Sequence, residues 1–146
     1  MKYPIRIILL VFIISFSTTY GQGKFGLGII LGEPTGISTK VWVTGSTAID
    51  GAIAWSFANE SALHIHVDFL LHNYVFSKVV PLYYGIGGRI KFREDNTRIG
   101  VRIPVGVAYD IPTTKIDLFL EIVPLLNLNP STSFTMNGAI GGRYYF

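Results

Sequence analysis

The chain has 146 residues, room for one domain and no more. It has 12 basic and 9 acidic side chains and no cysteine, which excludes a disulfide framework and thiol chemistry. Lys2 and Arg6 fall in the first 21 residues, and the remaining ten basic groups against nine acids form no surplus that would argue for nucleic acid.

Residues 1–21 read as a secretory signal peptide. Lys2 and Arg6 form a basic start, Ile7 to Phe16 is an apolar run broken only by Ser15, and Thr19-Tyr20-Gly21 places small residues at the −3 and −1 positions before Gln22. The run has about ten residues, whereas a membrane-spanning helix needs about 20. No cysteine follows it, so a lipid anchor through an N-terminal Cys is excluded. The mature domain is then 22–146. Only 19 of its 125 residues are charged, about 15% where about 25% is usual. No later apolar stretch is long enough for a helical span. A closed barrel is the other structure that satisfies every backbone group in lipid.

The mature sequence alternates with period two and predicts eight strands. The first is Lys24–Gly32, with Phe25, Leu27, Ile29 and Leu31 on one face and glycines and Ile30 on the other. Glu33-Pro34-Thr35-Gly36 is a turn by composition. The second is Ile37–Thr44, with Ser38, Lys40 and Trp42 opposite Ile37, Val41 and Val43. Gly45-Ser46-Thr47 turns the chain into the third, Ala48–Phe57, where Ile49, Ile53 and Trp55 face out and Asp50, Ala52 and Ala54 face in. The fourth alternates most clearly: Leu63, Ile65, Val67, Phe69 and Leu71 against His64, His66, Asp68, Leu70 and His72. The fifth runs from Leu82 to Arg93, with Tyr83, Gly85, Gly87, Arg89 and Lys91 sharing a face. After a polar loop, Glu94–Thr97, the sixth is Ile99–Asp110. The seventh is Ile116–Val123, Pro124 to Ser133 is the longest loop, and the eighth is Phe134–Phe146.

A soluble sandwich or lipocalin also alternates. The choice rests on which face is chemically uniform. Here the uniform face is aliphatic and aromatic, while charges sit in mid-strand among glycine and alanine. That pattern fits a lipid-facing exterior around a narrow, polar, side-chain-filled lumen. The expected fold is therefore all-β: an eight-stranded antiparallel up-and-down transmembrane barrel with both termini in the periplasm. Glu33–Gly36, Ala58–Ala62, Glu94–Thr97 and Pro124–Ser133 then lie at the outer surface. Pro104 falls in mid-strand and cannot donate to the ladder, so a bulge is expected there.

The last strand, Asn137-Gly138-Ala139-Ile140-Gly141-Gly142-Arg143-Tyr144-Tyr145-Phe146, ends on an aromatic with Tyr144 and Ile140 in alternation. It resembles the C-terminal signature of bacterial outer-membrane barrels, which the barrel-assembly machinery recognises. The mature chain also resembles a family of small outer-membrane barrels of unassigned activity. The likeness is carried by Gly26–Gly36, Pro81–Phe92, Ile99–Gly106 and Leu118–Pro124. It implies an OmpA- or OmpX-like barrel and implies no reaction.

Several groups invite a functional reading. His64, His66 and Asp68 form a His-x-His-x-Asp run on one strand face, which could hold a metal or serve a hydrolase. A polar lining that pairs with nearby arginines is preferred. Lys40, Arg89, Lys91, Arg102 and Arg143 face inward with Asp50, Asp68, Asp110, Asp117 and Glu121. Eight strands enclose a space just wide enough for side chains, which favours a closed ion-pair network over a charged pore. If Arg93 pairs with Arg98, counting back places Arg89 opposite Arg102, with Glu121 and Asp68 neutralising both. Gly87-Gly88 and Gly141-Gly142 lie inside strands, so they are not phosphate loops. Glycines there make room for neighbours such as Trp42 and Tyr83.

The sequence thus assigns no catalytic, cofactor-binding or metal residue. The expected role is non-enzymatic: envelope structure or a surface contact in the outer membrane. The expected partners are outer-membrane lipid and the assembly machinery, with no nucleic acid, and the chain is expected to be a monomer. Two alternatives remain. One is a lipid-modifying enzyme of the lipid A deacylase kind, using Ser56 or Ser61 near His64. The other is a soluble periplasmic lipid-binding barrel.

Overall fold

The computed structural model describes residues 24–57, 61–129 and 131–146. The signal peptide expected over 1–21 lies outside them, as does part of the 58–62 connection. Nine strands follow one another: β1 (Phe25–Glu33), β2 (Thr35–Trp42), β3 (Thr47–Ser56), β4 (Ala62–Asn73), β5 (Leu82–Phe92), β6 (Thr97–Arg102), β7 (Val105–Asp110), β8 (Ile116–Asn129) and β9 (Ser133–Tyr145). Each pairs antiparallel with its neighbours. β1 pairs with β9 as well as with β2, and β4 pairs with β5, so the sheet closes on itself. No described helix is long and apolar enough to cross a membrane.

The expected strand count of eight is corrected to nine, and the cause is local. The sixth predicted strand is interrupted at Ile103-Pro104. Its two pieces, β6 and β7, both lie between β5 and β8. Pro104 accepts from Gly85 N at 3.0 Å but has no N–H to return the bond. Next to it, Ile103 N donates to Pro124 O at 3.0 Å, and Pro124 cannot reciprocate. Two one-sided pairs side by side break the ladder.

The bulge expected at Pro104 is not there. The register runs unchanged through it, from Gly87↔Arg102 to Tyr84↔Val105 on one side and from Arg102↔Leu125 to Val105↔Ile122 on the other. The irregularity lies between Ile99 and Gly100, against Asn129 and Asn127.

The long loop expected from Pro124 to Ser133 is also corrected. β8 continues to Asn129, with Val123, Leu125 and Asn127 buried inside and Leu126 and Leu128 exposed. Pro124 stays in the strand because its carbonyl still accepts from Ile103 N, and the pairing with β9 runs through it from Val123↔Asn137 to Leu125↔Thr135. The longest connection between described strands is instead residues 74–81, at the end of the barrel that also holds the start of β1 and the end of β9.

The side chains divide as the alternation predicts. Ile29, Ile53, Val67, Ile86, Leu120 and Ile140 are all exposed on the outside. The exposed belt runs around the whole barrel, far beyond the few hundred Å² of contiguous apolar surface a soluble monomer tolerates. The buried face is largely polar: Ser38, Lys40, Asp50, His66, Asp68, Arg102, Asp117, Glu121 and Arg143. Apolar groups fill what remains, chiefly Ile30, Leu70, Tyr83, Ala108 and Phe119. Small residues on facing strands accommodate the large ones. A Cβ on Gly106 would collide with the Tyr83 ring, and one on Gly141 with the Phe119 ring. Trp42 packs on His72, with ring centroids 4.4 Å apart.

Candidate functional site: the barrel lumen

The lumen is lined by every second residue of nine strands, and charge is not spread evenly along it. The middle holds a matched network. Arg102 on β6 lays Nε against both oxygens of Asp68 on β4, at 2.9 and 3.1 Å, and its Nη2 lies 3.6 Å from Glu121 on β8. Tyr83 donates its hydroxyl to Glu121 at 3.2 Å. Arg143 on β9 donates to Ser38 at 2.9 Å and to Asp50 at 3.2 Å, lies 3.9 Å from Asp117, and covers the Phe119 ring at 4.0 Å. Tyr145 donates to the same Asp117 at 2.6 Å. Lys40 sits 2.8 Å from His72 Nε2 and 4.4 Å from the Trp42 ring centre. Between these layers, beside Arg102 and Glu121, a gap of only about 10 Å³ remains, at the lower limit for a single water.

Arg89 and Arg102 both point inward, as the alternation requires, but they are not opposite each other. Arg89 faces Gly100 and Arg102 faces Gly87; Phe92 pairs with Thr97, two residues tighter than an Arg93–Arg98 pairing. The turn is closed by Arg93 N on Asn96 O at 2.9 Å. A slip of two keeps every side chain on its face, so the direction of both arginines survives while their partners change. Asp68 and Glu121 both serve Arg102. Arg89 instead donates to Asn127 Oδ1 at 2.7 Å, and Asn127 donates onward to Thr135 at 2.9 Å and Ser133 at 3.2 Å. Asn127 lies in the Pro124–Ser133 stretch, whose composition reads as a loop. Continued alternation through Val123, Leu125 and Asn127 was the signal that could have found it.

The His-x-His-x-Asp run faces the lumen with all three side chains buried. Ligand atoms of Asp50, His66 and Asp68 lie within 4.8 Å of one another, and His66 Nε2 is 3.9 Å from Asp68. A metal there would compete with guanidinium groups, since Arg102 takes both oxygens of Asp68 and Arg143 takes Asp50. His64 stands apart from this group. It lines a cavity of about 160 Å³ at the loop end of the barrel, the end that holds the β1–β2 and β5–β6 turns, with Ser56 also on its wall. Neither ring nitrogen of His64 has a hydrogen-bond partner among the described residues, so no acid there orients the ring as a Ser–His relay requires. Ser61 is exposed, just ahead of β4.

The opposite end opens into a wider hollow of about 530 Å³, walled by Trp42, Tyr74, Asp110, Asp117 and Tyr145. Burial and the carboxylates of Asp110 and Asp117 push the Tyr74 phenol up to about 12. Both ends are thus open and the middle is filled.

The model of the family described as "Protein of unknown function (DUF3996)" matches residues 16–144. The chain belongs to that family. None of the curated proteins compared matches it in sequence. Among solved structures, the crystal structure of the N-terminal β-barrel domain of Pseudomonas aeruginosa OprF is similar, with a TM-score of 0.71 at 12% identity. The match covers 87% of this chain and 100% of that domain. At that identity the likeness concerns the fold: an antiparallel barrel of the type expected from the alternation.

Proposed function

We propose that this chain is an outer-membrane barrel with a plugged, ion-paired lumen, and that it serves envelope structure or a surface contact rather than catalysis. One observation carries the reading. The barrel is inverted relative to a soluble protein, with aliphatic and aromatic side chains exposed all around the wall and arginine, lysine, aspartate and glutamate buried inside. The described charged residues that are exposed, Lys24, Lys78, Glu94, Asp95 and Lys115, fall at strand ends or in connections. In water such a belt would drive aggregation; in a bilayer it is the surface that lipid covers. The similarity to the OprF barrel domain supports the same reading. In it residues 1–21 are the cleaved export signal, the barrel-assembly machinery inserts the strands, and the inserted protein is a monomer surrounded by outer-membrane lipid.

Fractionation tests the membrane assignment. The protein is expected in the outer-membrane fraction, soluble only with detergent, with a gel mobility that shifts on boiling. Recovery as a detergent-free periplasmic protein would sink it and favour a soluble lipid carrier. Plugging is tested in planar bilayers. A middle packed this tightly predicts little or no stable conductance, and reproducible nanosiemens openings from pure protein would contradict it.

A further inference from the structure

We infer that the loop end of the lumen is an oxyanion site that takes one phosphate-type group. Basic side chains from adjacent strands converge there. Lys91 on β5 stands directly across from His64 on β4 and from Arg98 on β6, and Arg89 lies two residues further along β5. With Arg93, these groups wall the cavity of about 160 Å³. Lys91 and Arg98 are like charges placed directly opposite each other, with Arg89 beside them, an arrangement that is destabilising and needs a reason.

Arginines elsewhere in the lumen have one. Arg102 and Arg143 each touch carboxylates. Among the described residues, no carboxylate is paired with Arg89 or Arg98. Arg89 is only 4% exposed, and its Nε has no hydrogen-bond partner among those residues. The Nε of Arg98 and both nitrogens of His64 are in the same position. Lys91 and Arg93 add charge but have contacts of their own. The donors that remain are guanidinium N–H groups, whose fork matches phosphate oxygens two at a time. The cavity, of about 160 Å³, has room for one tetrahedral oxyanion. The site depends on the barrel fold alone, whichever compartment the barrel occupies. Its ligand could be free inorganic phosphate or the terminal phosphate of a sugar, including a glycolipid headgroup projecting into the mouth.

The test is calorimetric titration of the full-length mature barrel, refolded in a nonionic detergent, with inorganic phosphate at constant ionic strength. Saturable binding of one phosphate per barrel is expected, with chloride at least tenfold weaker. Arg89→Gln and Arg98→Gln should each weaken phosphate binding at least tenfold. Lys115→Gln, on the hollow at the other end, should leave it unchanged. Arg98 is only partly buried, so its variant keeps the test decisive if Arg89→Gln fails to fold. A sugar phosphate monoester binding as well as phosphate would support the site and place its source in a headgroup; binding of inorganic phosphate alone would support a free-ion source. Three results would overturn the inference: phosphate no better than chloride, a folded Arg98→Gln barrel binding like wild type, or Lys115→Gln weakening binding to the same extent.

Discussion

The middle of the lumen and its loop-end mouth are built from the same strands with the same alternation, yet they handle charge in opposite ways. In the middle, each buried guanidinium meets carboxylates: Arg102 has Asp68 and Glu121, and Arg143 has Asp50 and Asp117. At the mouth, Arg89 meets an amide, Asn127, and the charged residues described around the cavity are all cationic. Burying an ion is costly unless a counter-charge and hydrogen bonds compensate for the lost hydration. The middle therefore reads as structure, a set of ties between strands that also fills the bore. The mouth retains donors that a ligand can satisfy.

Substitutions can break this contrast. The largest loss is expected from Asp68→Asn. It strips Arg102 of its closest carboxylate at a position 1% exposed, and breaking one side of a buried pair typically costs about 3–5 kcal/mol. Glu121→Gln should cost less, about 1–3 kcal/mol, because Arg102 keeps Asp68 and the longer 3.6 Å contact is the one weakened. Both are read as shifts of the denaturant midpoint of the refolded barrel. Glu94→Gln, in the exposed β5–β6 turn, should leave that midpoint unmoved. Equal losses for Glu121→Gln and Glu94→Gln would mean that the network does not hold the wall together. Among the lumen substitutions the smallest effect is expected from Arg89→Gln in phosphate-free buffer. It weakens the contact with Asn127 but removes a charge crowded by other cations, and the net change should stay within about 1 kcal/mol. A loss as large as that of Asp68→Asn would erase the distinction between the two regions.

The two regions also differ in how far the sequence reveals them. Face assignments were legible throughout, because a period of two fixes which side chains share a surface and needs no knowledge of partners. Arg102, Asp68 and Glu121 could be placed in one network on that basis. The partner of Arg89 could not. Its identity depends on hairpin register, which the Arg93–Asn96 turn sets two residues tighter than expected, and on the length of β8. Pro124 and the asparagines after it have the composition of a loop. They remain a strand because Pro124 still accepts from Ile103 N and the pairing with both neighbouring strands continues past it. That pairing joins residues some twenty positions apart, and local composition does not carry it. The cationic mouth was likewise invisible as a site, since it emerges only when His64, Lys91 and Arg98 are brought into one row.

The contrast between middle and mouth has meaning only if the apolar wall faces lipid and the charged face lines a lumen. The chain offers a direct probe, because its two tryptophans lie on opposite faces: Trp55 is on the exposed belt, 42% exposed, and Trp42 packs inside on His72 and Lys40. Trp42→Phe and Trp55→Phe each leave a single emitter. Reconstituted in vesicles containing brominated phospholipid, the barrel is predicted to show strong quenching of Trp55 and little of Trp42. Quenching of Trp42 with Trp55 spared, or of neither, would contradict the inverted barrel.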